Sequence, residues 1–367
     1  MRLREMPNPA IKQGLGAAEA IHEIKEMEME DLVLGIINPM PVIVLLAIIG
    51  ISLFTLSKGA DLLIDEAVAV SGYLRVPKAI IGATIVSLGT TLPELSVSTM
   101  AAIQGSPDMA LGNAVGSIIA NTGLIIGLAA VLRPIDIDRG SIRIQGWVKM
   151  ISAGLLIAFS LPVFSPGGAG TISQEMGFIF VAMLAAYMYW SFRESRKSSY
   201  LSSDEDNDEV PKSEIIKRFL LMAVGMAIVI FSSKILIPTV EVTALKVGVP
   251  KSIIAATLVA FGTSLPELTT AVKAALRGHG DLAVGNIIGA DILNVLFVIG
   301  VSAAVTPEGL LVPPIFYRVH FPAMAIILLT FRFVTINKGS RIRRWEGALL
   351  IALYLAYLGM NLTNVIS

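Results

Sequence analysis

From residue 40 onward the chain alternates long apolar runs with short polar breaks. Ten runs approach the roughly 20 mainly apolar residues that a spanning helix needs: 40–57 (extending towards 72), 78–103, 109–132, 147–164, 175–193, 218–238, 251–276, 282–305, 314–334 and 345–364. The pattern predicts an all-α membrane protein of ten transmembrane helices. Residues 1–38 stand apart, with Arg2, Arg4, Lys12 and Lys25 set among Glu5, Glu19, Glu23, Glu26, Glu28, Glu30 and Asp31. No apolar core follows the early basic residues, so this stretch reads as a tail or surface helix and not as a signal peptide.

The run 77–127 aligns without gaps to 250–300 at a constant offset of 173, with about half of the positions identical. The first copy reads PKAIIGATIVSLGTTLPEL and GSPDMALGNAVGSIIANTGLIIG; the second reads PKSIIAATLVAFGTSLPEL and GHGDLAVGNIIGADILNVLFVIG. Apolar bias alone would not hold Gly, Pro, Glu and Asn in register. Ten spans then divide as five plus five. An odd number per copy inserts the second copy upside down, the inverted repeat common in alternating-access carriers. The expected organisation is an N-terminal extension (1–38), a first transmembrane repeat (39–193), an acidic linker (194–217) and a second repeat (218–367).

Charge sets the orientation. Arg75, Lys78, Arg133, Arg139, Arg143, the cluster Arg193 to Arg218, Arg277, and Arg332 to Arg344 fall in one set of loops. The opposite set holds Lys246 and Lys251 and little else beyond the net-acidic N-terminal tail; its loops 104–108, 165–174 and 306–313 carry no Lys or Arg. The positive-inside rule places the first set in the cytoplasm and both termini outside, in a cell (plasma) membrane. The linker SSYLSSDEDNDEVPKSE is too polar to fold alone.

Composition narrows the chemistry. The chain of 367 residues is 54% hydrophobic and 15% charged, with zero net charge and no cysteine; soluble proteins carry about 25% charged residues. Nucleic-acid binding, disulfides and thiolate metal sites are excluded. His22, His279 and His320 are scattered and form no ligand set. No nucleophile–base pair, metalloprotease motif or nucleotide loop is present, so neither an enzyme nor a cofactor is expected, and no protein partner is implied.

What remains is carboxylate chemistry at membrane depth. Glu94 and Glu267 sit within apolar spans, where a charged side chain costs roughly 2.5–3.5 kcal/mol on insertion scales. The lysines nearest that depth, Lys58, Lys234 and Lys273, can each reach a helix end, so no structural counter-ion is expected. Pro93 and Pro266 precede the glutamates and deprive the carbonyls of Gly89 and Gly262 of a helical partner. Broken helices are expected there, with loosened carbonyls facing a cavity. Thr90 and Thr91 precede Glu94 on its face of the helix, as Thr263 and Ser264 precede Glu267. Hydroxyls, carbonyls and carboxylates together suit a hard cation. On the following helix Asn113, Ser117 and Asn121 recur at i, i+4 and i+8, matched by Asn286, Ala290 and Asn294 with Asp291 alongside. Asn113 and Asn286 read as interhelical hydrogen bonders, and Ser117, Asn121 and Asn294 as ligands. Gly112 and Gly116, and Gly285 and Gly289, form small-residue patches for close helix packing.

GTTLPEL with GNAVGSIIAN, and GTSLPEL with GNIIGADILN, resemble the two alpha repeats of the sodium/calcium exchanger family, within the cation/Ca²⁺ antiporter superfamily. The resemblance implies Na⁺-driven Ca²⁺ exchange by alternating access. It implies acidic ligands Glu94 and Glu267; hydroxyl ligands Thr90, Thr91, Ser117, Thr263 and Ser264; amide ligand Asn121; and backbone carbonyls of Ser87 and Ala260. Ala290 stands where the family often has serine, and Asn294 where many prokaryotic and potassium-dependent members have aspartate. Asp291 lies about 60° from Asn294 around an ideal helix. It either supplies the missing charge or turns away towards a helix interface or the access path, and the offset favours the access path. H⁺- or K⁺-coupled exchange and a cation channel are the alternatives; the PEL motifs oppose the first and Asn294 opposes the second.

Overall fold

The computed structural model describes residues 34–164, 170–201, 211–248, 262–336 and 341–366. Residues 1–33, most of the acidic linker, and the run 249–261 that carries Ala260 lie outside the described residues. The rest is almost entirely helical: α1 (Val42–Tyr73), α2 (Lys78–Thr90), α3 (Leu92–Ile103), α4 (Pro107–Leu132), α5 (Arg139–Ser160), α6 (Gln174–Leu201), α7 (Lys212–Lys246), α8 (Leu265–Leu276), α9 (Gly280–Ala304), α10 (Phe316–Ile336) and α11 (Arg344–Ile366). Among the described residues six helices are long and apolar enough to cross a membrane: α1, α4, the Ile142–Ser160 part of α5, the Ser213–Lys246 part of α7, α9 and α10. The pair α2 and α3, bent by 47°, makes a seventh if counted as one span.

Burial separates these helices. The apolar windows of α4 and α9 are 72% and 83% buried, against 22% for α1 and 33% for α7. The helices after the two PEL motifs therefore form the centre, and α1 and α7 pack against each other with long apolar faces left outward. A soluble protein could not carry Ile43, Ile51, Phe54, Leu220 and Phe231 in such exposure without a lipid solvent.

The centre depends on small residues. A Cβ on Gly285 would strike the Ala79 carbonyl oxygen, and one on Gly289 would lie 2.5 Å from Ala83 Cα. From the other side, a Cβ on Gly82 would lie 2.6 Å from the Leu282 carbonyl. Thus α9 and α2 touch backbone to backbone, as the glycine spacing predicts. Gly112 and Gly116 meet no described atom within 4 Å.

Two short antiparallel ladders join the copies. β1 (Ile135–Asp136) pairs with β4 (Arg341–Ile342), and β2 (Thr171–Ile172) with β3 (Leu310–Leu311). Each ladder takes one strand from each half of the chain. The first joins two loops from the Lys/Arg-rich set, and the second joins two loops of the opposite set, 165–174 and 306–313, which carry no Lys or Arg. The side assignments made from charge are therefore mutually consistent at both ladders.

Candidate cation-binding site

The break between α2 and α3 falls at Thr91, with φ −84° and ψ −2°. Pro93 occupies the second position of α3, where a missing N–H costs nothing, and Pro266 does the same in α8. Each glutamate thus enters on the first turn of a new helix, Glu94 on α3 and Glu267 on α8. There the unpaired N–H groups favour negative charge. Gly89 also leaves room for a neighbour: a Cβ there would collide with the Met226 side chain of α7.

Both carboxylates are buried, at 0% and 1% exposure. The hydroxyls assigned to them by spacing are exchanged between the copies. Thr91 Oγ1 donates to Glu267 Oε1 at 3.4 Å, and Ser264 Oγ donates to Glu94 Oε1 at 3.3 Å. Each PEL motif therefore solvates the carboxylate of the other, which brings the two motifs together. Ser264 Oγ also lies 3.2 Å from Ser117 Oγ. Thr90 Oγ1 turns back to the Ser87 carbonyl at 3.3 Å. That carbonyl also accepts the Thr91 N–H at 2.9 Å, so both of its lone pairs are engaged.

The following helices widen where their amides point. A π-helical segment covers Ala120–Ile125 in α4 and another covers Asn294–Ile299 in α9, a local form frequent at functional sites. Asn121 and Asn294 lie in these segments, both buried. The 294–299 segment packs against α3 and α4. Asn113 and Asn286 bond between helices: Asn113 Nδ2 donates to Ser98 Oγ at 2.9 Å, and Asn286 Nδ2 to Thr270 Oγ1 at 3.1 Å. Half-buried Thr263 donates to Asn113 Oδ1 at 3.2 Å.

Four of the expected ligands carry a buried acceptor without a donor. Among the described residues, Glu94 Oε2, Glu267 Oε2, Asn121 Oδ1 and Asn294 Oδ1 are buried with no hydrogen-bond partner. Such groups are normally satisfied. Here all four are oxygens, contributed equally by the two copies. Asn286 Oδ1, Arg332 Nε and the amide atoms of Gln145 are also without partners.

Asp291 departs from expectation. It does not line an access path: it is buried at 2% exposure, and its Oδ2 lies 2.7 Å from Lys149 Nζ on α5. Lys149 was missed among the lysines near membrane depth. The predicted span began at 147, which would put Lys149 at a helix end, whereas α5 begins at Arg139 and carries Lys149 about 15 Å further along, at ~1.5 Å per residue. A buried aspartate in α9 was itself a signal that a cation was to be found nearby.

The chain belongs to the sodium/calcium exchanger protein family, whose model matches residues 44–193 and 217–363. It is 30% identical over 341 residues to the sodium/calcium exchanger MaX1 of Methanosarcina acetivorans, covering 85% of this chain and 96% of that protein. It is likewise 30% identical over 320 residues to the inner membrane protein YrbG of Escherichia coli, covering 86% of this chain and 95% of YrbG. The fold matches the solved structure of the sodium-calcium exchanger NCX_Mj soaked with 10 mM Na⁺ and no Ca²⁺, with a TM-score of 0.72, 26% identity, and coverage of 87% and 99% of the two chains.

Proposed function

We propose that this protein is a secondary antiporter that exchanges Na⁺ for Ca²⁺ across the membrane by alternating access. The observation that carries the reading is the set of donorless buried oxygens of Glu94, Asn121, Glu267 and Asn294. With the hydroxyls of Thr90, Thr91, Ser117, Thr263 and Ser264, they suit a hard cation and offer nothing to a soft one. Two carboxylates balance one Ca²⁺ or are shared among Na⁺ ions. Backbone oxygens of Ser87 and Ala260 join the ligand set in this reading once the Ser87 carbonyl exchanges a present hydrogen bond for an ion.

The architecture proposed with this function is ten spans arranged as a five-plus-five inverted repeat in the plasma membrane, both termini outside. The 173-residue offset and the exchange of hydroxyls between the PEL motifs support it. The test is ⁴⁵Ca²⁺ uptake into Na⁺-loaded proteoliposomes. Uptake that requires an outward Na⁺ gradient is expected. Uptake driven equally by a H⁺ or K⁺ gradient would assign the coupling elsewhere, and Ca²⁺ flux that needs no counter-ion would identify a channel.

A further inference from the structure

Lys149, Asp291 and Thr122 form a closed group beside the proposed site. Lys149 Nζ lies 2.7 Å from Asp291 Oδ2 and donates to Thr122 Oγ1 at 2.7 Å. Thr122 Oγ1 in turn donates a hydrogen bond to Asp291 Oδ2 at 2.6 Å. The ammonium also sits 4.3 Å from the centre of the Phe331 ring, within cation–π range. Carboxylate, hydroxyl and ring face are what a small monovalent cation would find there if the lysine were absent. The group has no twin in the other repeat, where Ile118 stands at the position equivalent to Asp291.

The same aspartate controls a neighbour. Asp291 Oδ1 accepts a hydrogen bond from Asn121 Nδ2 at 3.2 Å. An ionised carboxylate can only accept, so Asn121 must turn its NH₂ towards Asp291. Its carbonyl oxygen is then left facing away, buried and without a donor. Lys149 gives Asp291 a built-in partner that needs no free ion, so the hydrogen bond that orients Asn121 does not depend on cargo.

We propose that Lys149 is a resident cation. Its ammonium fills a monovalent-cation position built by Asp291 and Thr122, and through Asp291 it orients the Asn121 amide for the exchanged ions. Asp291 is then a positioning residue, and Glu94 and Glu267 alone carry charge for the cargo. This rests on the Na⁺/Ca²⁺ antiport reading for its effect on transport, but the cation position itself can be tested without transport.

The first measurement is thermal unfolding of purified full-length protein in choline chloride with added K⁺ or Rb⁺. Lys149→Ala opens the position and is expected to gain a saturable rise in Tm with K⁺ or Rb⁺, which the unaltered chain and the Lys149→Met/Asp291→Asn double variant lack. A folded Lys149→Ala protein with no greater response than the unaltered chain would overturn the proposal. The second uses the double variant, which removes the charges as a neutral pair and so guards against Lys149→Ala failing to fold. In proteoliposomes its KM for Ca²⁺ is expected to rise several-fold as Asn121 loses its fixed orientation. Its charge moved per Ca²⁺, read from the reversal potential, is expected to match the unaltered chain. A changed charge count, or abolished exchange in folded protein, would make Asp291 a cargo ligand and refute the inference. Failure of the unaltered chain to exchange Na⁺ for Ca²⁺ would reject the functional reading alone, leaving the thermal measurement to decide on Lys149.

Discussion

Replacing Glu267 with glutamine separates the charge of the site from its shape. The amide keeps the outline of the carboxylate, and its oxygen can still accept the Thr91 hydroxyl, now 3.4 Å from Oε1. The change removes half of the charge that Glu94 and Glu267 hold, because Asp291 is committed to Lys149. A pair of unit charges about 4 Å apart is worth ~4 kcal/mol at an effective dielectric of about 20. On that scale Ca²⁺ loses ~8 kcal/mol of attraction and Na⁺ ~4 kcal/mol. The difference of ~4 kcal/mol corresponds to a shift of about 10³-fold in the preference for Ca²⁺ over Na⁺. Folding is not threatened, since a neutral amide relieves the roughly 2.5–3.5 kcal/mol that a charged side chain costs at membrane depth. The assay pairs ⁴⁵Ca²⁺ uptake into Na⁺-loaded proteoliposomes with tracer Na⁺/Na⁺ self-exchange. Expected are loss of Ca²⁺ uptake at millimolar Ca²⁺ and weakened self-exchange that recovers at high Na⁺. Near-normal Ca²⁺ flux through monodisperse protein, or an equal loss of both activities, would refute the electrostatic argument.

Glu94→Gln should behave alike, since Ser264 serves it as Thr91 serves Glu267; a large asymmetry in Ca²⁺ uptake would count against a site shared by the two copies. Asn294→Asp adds a third carboxylate at a donorless position, and more positive charge moved per Ca²⁺ in reversal-potential measurements is the expected outcome. Gly285→Ala drives a methyl group into the Ala79 backbone and should lower thermal stability by at least ~1–3 kcal/mol. Gly154→Ala, with no atom within 4 Å, serves as its neutral control in the same melting experiment. Arg341→Ala removes an exposed ion pair to Asp136, 2.7 Å long at the β1–β4 ladder, and should change stability by less than ~1 kcal/mol with transport intact.

The PEL motifs were legible because they break two rules together: a charge in an apolar run and a proline inside a helix. The period-four glycines of α9 announced close packing, but the same spacing at Gly112 and Gly116 of α4 meets no described atom within 4 Å, because spacing does not say which face has a neighbour. The partner of each glutamate was not. Helical spacing places Thr91 near Glu94, yet a helix break at Thr91 itself redirects the hydroxyl to the other copy. Lys149 was hidden by an error in where its helix starts, since hydropathy reports the apolar stretch and not the polar turns, Arg139 to Gln145, that precede it. Asp291 was misread for the same reason: its angular offset from Asn294 was known, but the lysine that occupies that direction was not.

The pairing of Lys149 with Asp291 also bears on how the molecule is made. Asp291 follows Lys149 by 142 residues, so at about 5–20 residues per second the ribosome needs ~7–28 s to deliver it. Throughout that interval α5 carries an ammonium with no carboxylate to meet it, on a helix apolar enough to enter the bilayer. The first half must wait with that charge still in contact with water or lipid headgroups. Closure of the ion pair, when α9 arrives, then adds a buried link between the halves to the earlier packing of α7 on α1.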